Sequence, residues 1–484
     1  MVSERALPPG DRVGGSGGGI PSAGVSGGPP GPRPRPSLLK ALAVFENRNY
    51  RYLWLSSTFS FTGMGMQQIA RALLAWDLSH SFTAIGAISL SFGLPMLLLA
   101  LVGGAIADRV DKRNLTLITQ ACIGTTGLLT AILIVSGAMT LEILFVIGLV
   151  QGTFFALGMP SRSPLMALVV GPQHLLSAMA LSNASMNGTR LIGPAIAGVM
   201  AGTLGIAAVY FVQFGLYVLS VLCLLVVPSG LDRGMERRAR ANMVREIGHG
   251  LRYVSRDKRL RVLMLMGFIL AFFGMPYMML LAGFVQRDLG EGEWAVGTLM
   301  SLSGVGALVG SLAIATITEF PRKALVQFAL GIGGGAMLIS LALASTAFGL
   351  AGAMVTMVGL GLALNGYQTL NQAMVMEAAE PQYYGRVMSM NMLTFSSVSV
   401  MAAPLGVLAD AFGADMLFII QGVLIIVAMF AISLLNPGYI FGSTAGIVFP
   451  GFPGQGAPVR GGGAADPRSA GGAVPAAGDR ARVP

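Results

Sequence analysis

From residue 52 to 436 the chain is apolar almost without interruption, broken only by short charged or turn-rich stretches. Runs of about 18 or more apolar residues predict membrane-spanning helices. The breaks place these near 52–77, 84–107, 115–136, 141–160, 177–202 and 205–228. A second set follows near 262–286, 295–318, 323–346, 348–373, 387–409 and 414–436. Such runs are too long and continuous for alternating barrel strands, and open strands cannot satisfy their backbone in lipid. The pattern therefore predicts an all-α membrane protein with twelve transmembrane helices in two pseudo-symmetric six-helix bundles. A local echo favours the repeat: Ala100-Leu101-Val102-Gly103 ends the second run, and Ala307-Leu308-Val309-Gly310 ends the eighth.

Composition agrees. Of 484 residues, 54% are apolar and 11% charged, against roughly a quarter charged in soluble domains. The net charge of +10 would suggest nucleic acid in a soluble chain, but its placement is topological. Residues 229–261 carry ten Lys or Arg against four acids, and Arg109, Lys112, Arg113, Arg322, Lys323 and Arg386 fall on other even-numbered connections. The odd-numbered ones hold Arg287 beside Asp288, Glu291 and Glu293. The positive-inside rule then puts both termini in the cytoplasm, so a multi-pass protein of the plasma (inner) membrane is expected, without nucleic acid as partner. The domains expected are a disordered tail over 1–37, one bundle over 38–228, the basic linker 229–261, a second bundle over 262–436 and a disordered tail over 437–484. Both tails are rich in Gly and Pro and cannot bury a core. Within the linker, Met243, Ile247, Leu251 and Val254 share a helix face; a helix lying on the membrane and a solvated linker helix both fit. Cys122 and Cys223 stand apart in apolar runs and form no disulfide framework or metal site.

Two six-span halves joined by a basic loop are the layout of a secondary transporter with its site between the halves. The segment Gly104-Ala-Ile-Ala-Asp108-Arg109-Val-Asp111-Lys112-Arg113 resembles the signature loop of the major facilitator superfamily, departing from it at Asp111, where the pattern has Gly. The resemblance implies a conformational latch formed by Gly104, Asp108, Arg109 and Arg113 against the helix beginning near Arg386. The fifth run contains Gly193-Pro194-Ala-Ile-Ala197-Gly198, similar to a motif of exporters in that superfamily. Pro160-Ser-Arg162 and Tyr384-Gly385-Arg386 look like stretches of its siderophore- and drug-exporter-like branch. The likeness covers residues 45–436.

Ionisable groups at membrane depth are costly and must face a cavity or a partner. Arg190 with Asn187 one turn earlier, Arg71 with Gln67 and Gln68, Asn365 and Gln368 on the tenth span, and Tyr277 after Pro276 are the candidate substrate-binding residues. Several of them could instead bond between helices. Asp77, near His80, is either a proton-coupling carboxylate or an interfacial acid. The 29 methionines include Met275, Met278 and Met279; they suit a flexible apolar lining better than copper(I) ligation.

The reading is a secondary active exporter of small, partly apolar molecules, working by alternating access and proton-coupled antiport. It is expected to act as a monomer, without cofactor or metal. No P-loop or HExxH pattern occurs, so ATP hydrolysis and enzymatic chemistry are not indicated. A nutrient importer of the same fold and a non-transporting membrane receptor or scaffold are the alternatives.

Overall fold

The computed structural model describes residues 43–107, 110–171, 174–231, 252, 254–316, 322–380 and 384–437. Residues 1–37 and 438–484, most of the basic linker with Met243, Ile247 and Leu251 of its amphipathic stretch, and Asp108 and Arg109 lie outside these residues; Val254 of that stretch is described and buried. The described residues contain helices and no strand. In chain order the helices are α1 (Arg48–Ser79), α2 (Phe82–Ala107), α3 (Lys112–Val135), α4 (Leu141–Val170), α5 (Leu175–Leu204), α6 (Ile206–Val226), α7 (Lys258–Ile269), α8 (Tyr277–Gly283), α9 (Glu293–Thr316), α10 (Lys323–Ala378), α11 (Tyr384–Phe412) and α12 (Ala414–Leu435). Eight helical stretches among the described residues are long and apolar enough to cross a membrane.

The boundaries follow local chemistry. The Asn47 side chain accepts the N–H groups of Asn49 and Tyr50 and starts α1, and Asp257 does the same for α7 through Arg259 and Leu260; such caps satisfy orphan donors. Helix α7 thus begins inside the predicted linker. Helix α4 runs ten residues past the predicted end at 160, through Pro160 and Pro164, because a bent helix in a bundle has neighbours that re-satisfy the freed backbone groups. The predicted spans 323–346 and 348–373 fall in the single element α10, interrupted at Gly349, where φ is 59°. The predicted span 262–286 is composite: α7 passes into π-helical turns at Leu270–Gly274, then Pro276 opens α8 and a second π-turn follows at Phe284–Asp288.

The helices are apolar on nearly every side, as expected for segments packed inside and facing lipid outside. Large apolar side chains such as Val135, Leu312, Phe348 and Leu434 are exposed. Polar side chains point inward and join helices. Ser220 Oγ donates to Gln120 Oε1 at 2.7 Å and meets Ser56 Oγ at 2.9 Å, and Gln327 Nε2 donates to Asn371 Oδ1 at 2.7 Å. Helices α1–α6 pack among themselves and α7–α12 do likewise; the two sets meet through α2 with α11, α5 with α9, and α1 with α8. Close approach at these crossings needs glycine: a Cβ on Gly86 would strike the Ala402 carbonyl, one on Gly406 the Phe82 carbonyl, and one on Gly198 the backbone of Gly297. Small residues of this kind let membrane helices touch along their backbones.

Candidate functional site

Where the two sets meet lies a cavity of about 190 Å³. Helix α1 supplies Met64, Gln68 and Arg71, and α2 supplies Ile88, Ser89, Phe92 and Met96. Phe155 comes from α4, Met275, Met278 and Met279 from the broken α7–α8 segment, and Val398 and Ser399 from α11. The wall is therefore mostly apolar and thioether-rich, with few polar groups. Arg71 is the charged one, 9% exposed, its guanidinium carbon 4.5 Å from the centroid of the Phe92 ring. The ring face attracts the cation but leaves Arg71 Nε without a hydrogen-bond partner. Gln68 Nε2 approaches Met279 Sδ across the set boundary at 4.0 Å. Proline removes a backbone donor, and the break at Pro276 falls between Met275 and the pair Met278 and Met279, all three of which line the cavity.

The predicted substrate-binding residues separate into groups. Gln68 and Arg71 line the cavity. Gln67, one residue away, is 2% exposed and turned into the packing, its Nε2 without a partner. Tyr277 is buried, its hydroxyl 3.4 Å from Ser303 Oγ, away from the cavity wall. Asn365 Nδ2 donates to the Gly361 carbonyl one turn back on its own helix, and Gln368 is half-buried on the same helix outside the cavity lining. The side chains of Asn187, Arg190 and Arg386 lie outside the described residues. Asp77 stands exposed near the end of α1.

The latch residues are resolved in part. Gly104 lies on α2. Arg113 Nε donates to the carbonyls of Leu224 and Val227 and Nη2 to that of Leu225, so it binds the end of α6 within its own helix set. Asp111, the departure from the signature loop, accepts Asn114 N–H at 2.8 Å as the α3 cap and Gly230 N–H at 2.6 Å. In the fifth-span motif, Gly193 and Pro194 pack against Gly65 of α1, whereas Gly198 crosses Gly297 of α9.

Sequence reasoning missed Asp410. Its carboxylate accepts Ser81 Oγ–H at 2.6 Å and the N–H groups of Phe82 and Thr83 at 2.8 Å, capping α2 from α11. Arg287 lies 4.0 Å from the same carboxylate, and its guanidinium sits 5.2 Å from the Phe82 ring centroid. With the Gly198–Gly297 crossing, these contacts join the two helix sets at the end of the molecule that carries Asp77, Asp288, Glu293 and Asp415. A signal was available: Gly406-x-x-x-Asp410 repeats the spacing of Gly104-x-x-x-Asp108.

Residues 39–437 match the transmembrane secretion effector family. The uncharacterized MFS-type transporter YfiS of Bacillus subtilis is 25% identical over 79% of this chain and 92% of its own length. The staphyloferrin A transporter of Staphylococcus aureus is 22% identical over 77% of this chain and 92% of its own, and macrolide efflux protein A of Streptococcus pyogenes 21% over 79% and 95%. In fold, the chain resembles the crystal structure of the nucleoside transporter NupG, with a TM-score of 0.64 and 15% identity over 80% of this chain and 98% of that one. A helical, multi-pass membrane architecture and a family match spanning most of the sequence give one conclusion: the chain belongs to the transmembrane secretion effector family of the major facilitator superfamily, and is a transporter rather than an enzyme.

Proposed function

We propose that the chain is a twelve-span secondary exporter of small, partly apolar molecules, built as bundles over 38–228 and 262–436 and lying in the plasma membrane with its basic end and both termini in the cytoplasm. The internal repeat supports the two-bundle reading. Gly205 precedes α6 with φ 84°, and Gly413 precedes α12 with φ 88°. Eight residues on stand Gln213 and Gln421, each buried at 0–1% exposure, and between them Tyr210 and Phe418 are equally buried. One structural plan at both places is what two related bundles require.

The observation that carries the function is the apolar cavity between the helix sets, with Arg71 buried in its wall and the two sets joined at the acidic end through Asp410. Such a site, open to one face at a time, suits alternating access. Among the relatives, the macrolide efflux protein supports outward movement, and together with the staphyloferrin A transporter it supports a small molecule as the cargo. In this reading Asp77, in water at the outer end of α1, is the carboxylate through which proton antiport is coupled, and the monomer is the working unit. Inverted vesicles test it. Uptake of a substrate that collapses on adding an uncoupler is expected; uptake indifferent to the proton gradient removes the coupling, and binding without uptake removes transport.

A further inference from the structure

Among the described residues, Arg71 is a cation with no counter-charge where one is most needed. It sits eight residues before the end of α1, about 12 Å along the helix axis, and is buried. An ion there costs several kcal/mol unless paired. Among the described residues every carboxylate stands at or within two residues of a helix end or in a connection, and no ion pair or hydrogen bond of Arg71 is formed; its electron-rich neighbours are the Phe92 face and the phenols of Tyr210 and Tyr217. Arg162, the second cation at membrane depth, is occupied by Ser60 Oγ at 3.1 Å and the Phe61 ring at 4.9 Å. Among the described residues the interior is thus positive, and Arg71 lines the cavity.

We infer that the cavity takes an amphipathic organic anion, its carboxylate or sulfonate group received by Arg71 and its aromatic or aliphatic body lying against Met275, Met278, Met279 and Phe155. The inference rests on reading this cavity as the transport site. The guanidinium is suited to it: its planar fork matches an oxyanion, and its Nε has no partner among the described residues. Flexible thioethers tolerate bodies of varied shape, so charge, more than outline, is what the site selects.

The test uses three probes of one shape, 2-naphthoate, 2-naphthamide and 2-naphthamidine, titrated into the purified full chain in nanodiscs, with tryptophan fluorescence as readout. Naphthoate is expected to bind at least ~10-fold tighter than the amide, with the amidine weakest; a charge-assisted bond exceeds a neutral one by about this margin. Arg71→Gln should reduce the preference to within ~2-fold, and Arg71→Lys should leave a preference between the two, because the charge persists but the planar fork is lost. Unfolding temperature, measured on each variant, identifies any that misfolds; in that event competition of naphthoate by the amide in the wild-type protein decides. Equal binding of all three, amidine preference, no binding of any, or a preference that survives in folded Arg71→Gln overturns the inference. The same probes in inverted vesicles separate the two readings. Energised uptake without anion preference defeats this inference and leaves export standing, whereas anion-selective binding without uptake defeats export and leaves the anion site standing.

Discussion

Asp410 Oδ1 accepts the backbone N–H of Phe82 at 2.8 Å across 328 positions of the chain. The cap that α2 needs at its first turn is thereby supplied by α11, from the other helix set. A carboxylate facing helix N–H groups gains from both hydrogen bonds and the helix dipole, so this contact stabilises only an arrangement in which α2 and α11 meet at the acidic end. Gly406, one turn before Asp410, makes the approach possible, since a Cβ there would strike the Phe82 carbonyl.

Asp410→Ala is expected to open that end. Loss of the cap is worth about 1–2 kcal/mol, a roughly 5- to 30-fold shift in population. In a background without Cys122 and Cys223, a cysteine placed at Ser399 in the cavity wall should react correspondingly faster with an impermeant thiol reagent added from the acidic side. Labelling at the parental rate would show that Asp410 holds nothing shut.

The Gly198–Gly297 crossing gives a second expectation. Gly198→Ala forces α5 from α9, an overpacking worth about 1–3 kcal/mol, and Gly297→Ala acts on the same contact, so the double variant should cost less than the sum of the two. Gly215→Ala is the control, because nothing lies within 4 Å of a Cβ there. Thermal unfolding in detergent and export rate should both fall for the first two and not for the third; strict additivity would mean that the crossing is not shared.

For Arg113 the geometry predicts a stability effect rather than a gating one. Arg113→Ala leaves the carbonyls of Leu224, Leu225 and Val227 without their donor, a loss of about 1.5–3 kcal/mol, which lowers the unfolding temperature while turnover per folded molecule stays near wild type. Turnover that collapses at unchanged unfolding temperature would return Arg113 to the latch expected from the signature loop.

Arg190→Ala is expected to abolish transport without impairing insertion, because a cation in the middle of α5 is retained at membrane depth only for a partner or a ligand. Export equal to the parent protein at equal membrane abundance would remove Arg190 from the mechanism.

Much of the architecture was legible in residue type. Apolar run length needs no tertiary information, because lipid imposes it on each segment separately, and the asymmetry of Arg and Lys between connections is likewise a local count. The candidate site was legible only by kind. Gln67 and Gln68 are equivalent in a list of polar residues, yet one is turned into packing and the other into the cavity, since adjacent helical positions differ by about 100°. Asn365 satisfies itself on its own helix and Tyr277 meets Ser303; neither choice is written in spacing.

Membrane insertion, helical content and the family signature follow from short-range sequence, for hydropathy and side-chain type act residue by residue. The pairing of Asp410 with Phe82, the seating of Gly198 on Gly297 and the gathering of Arg71 with three methionines depend on which helices cross and how each is rotated. Those rotations come from packing summed over the whole molecule, and no local stretch of chain encodes them.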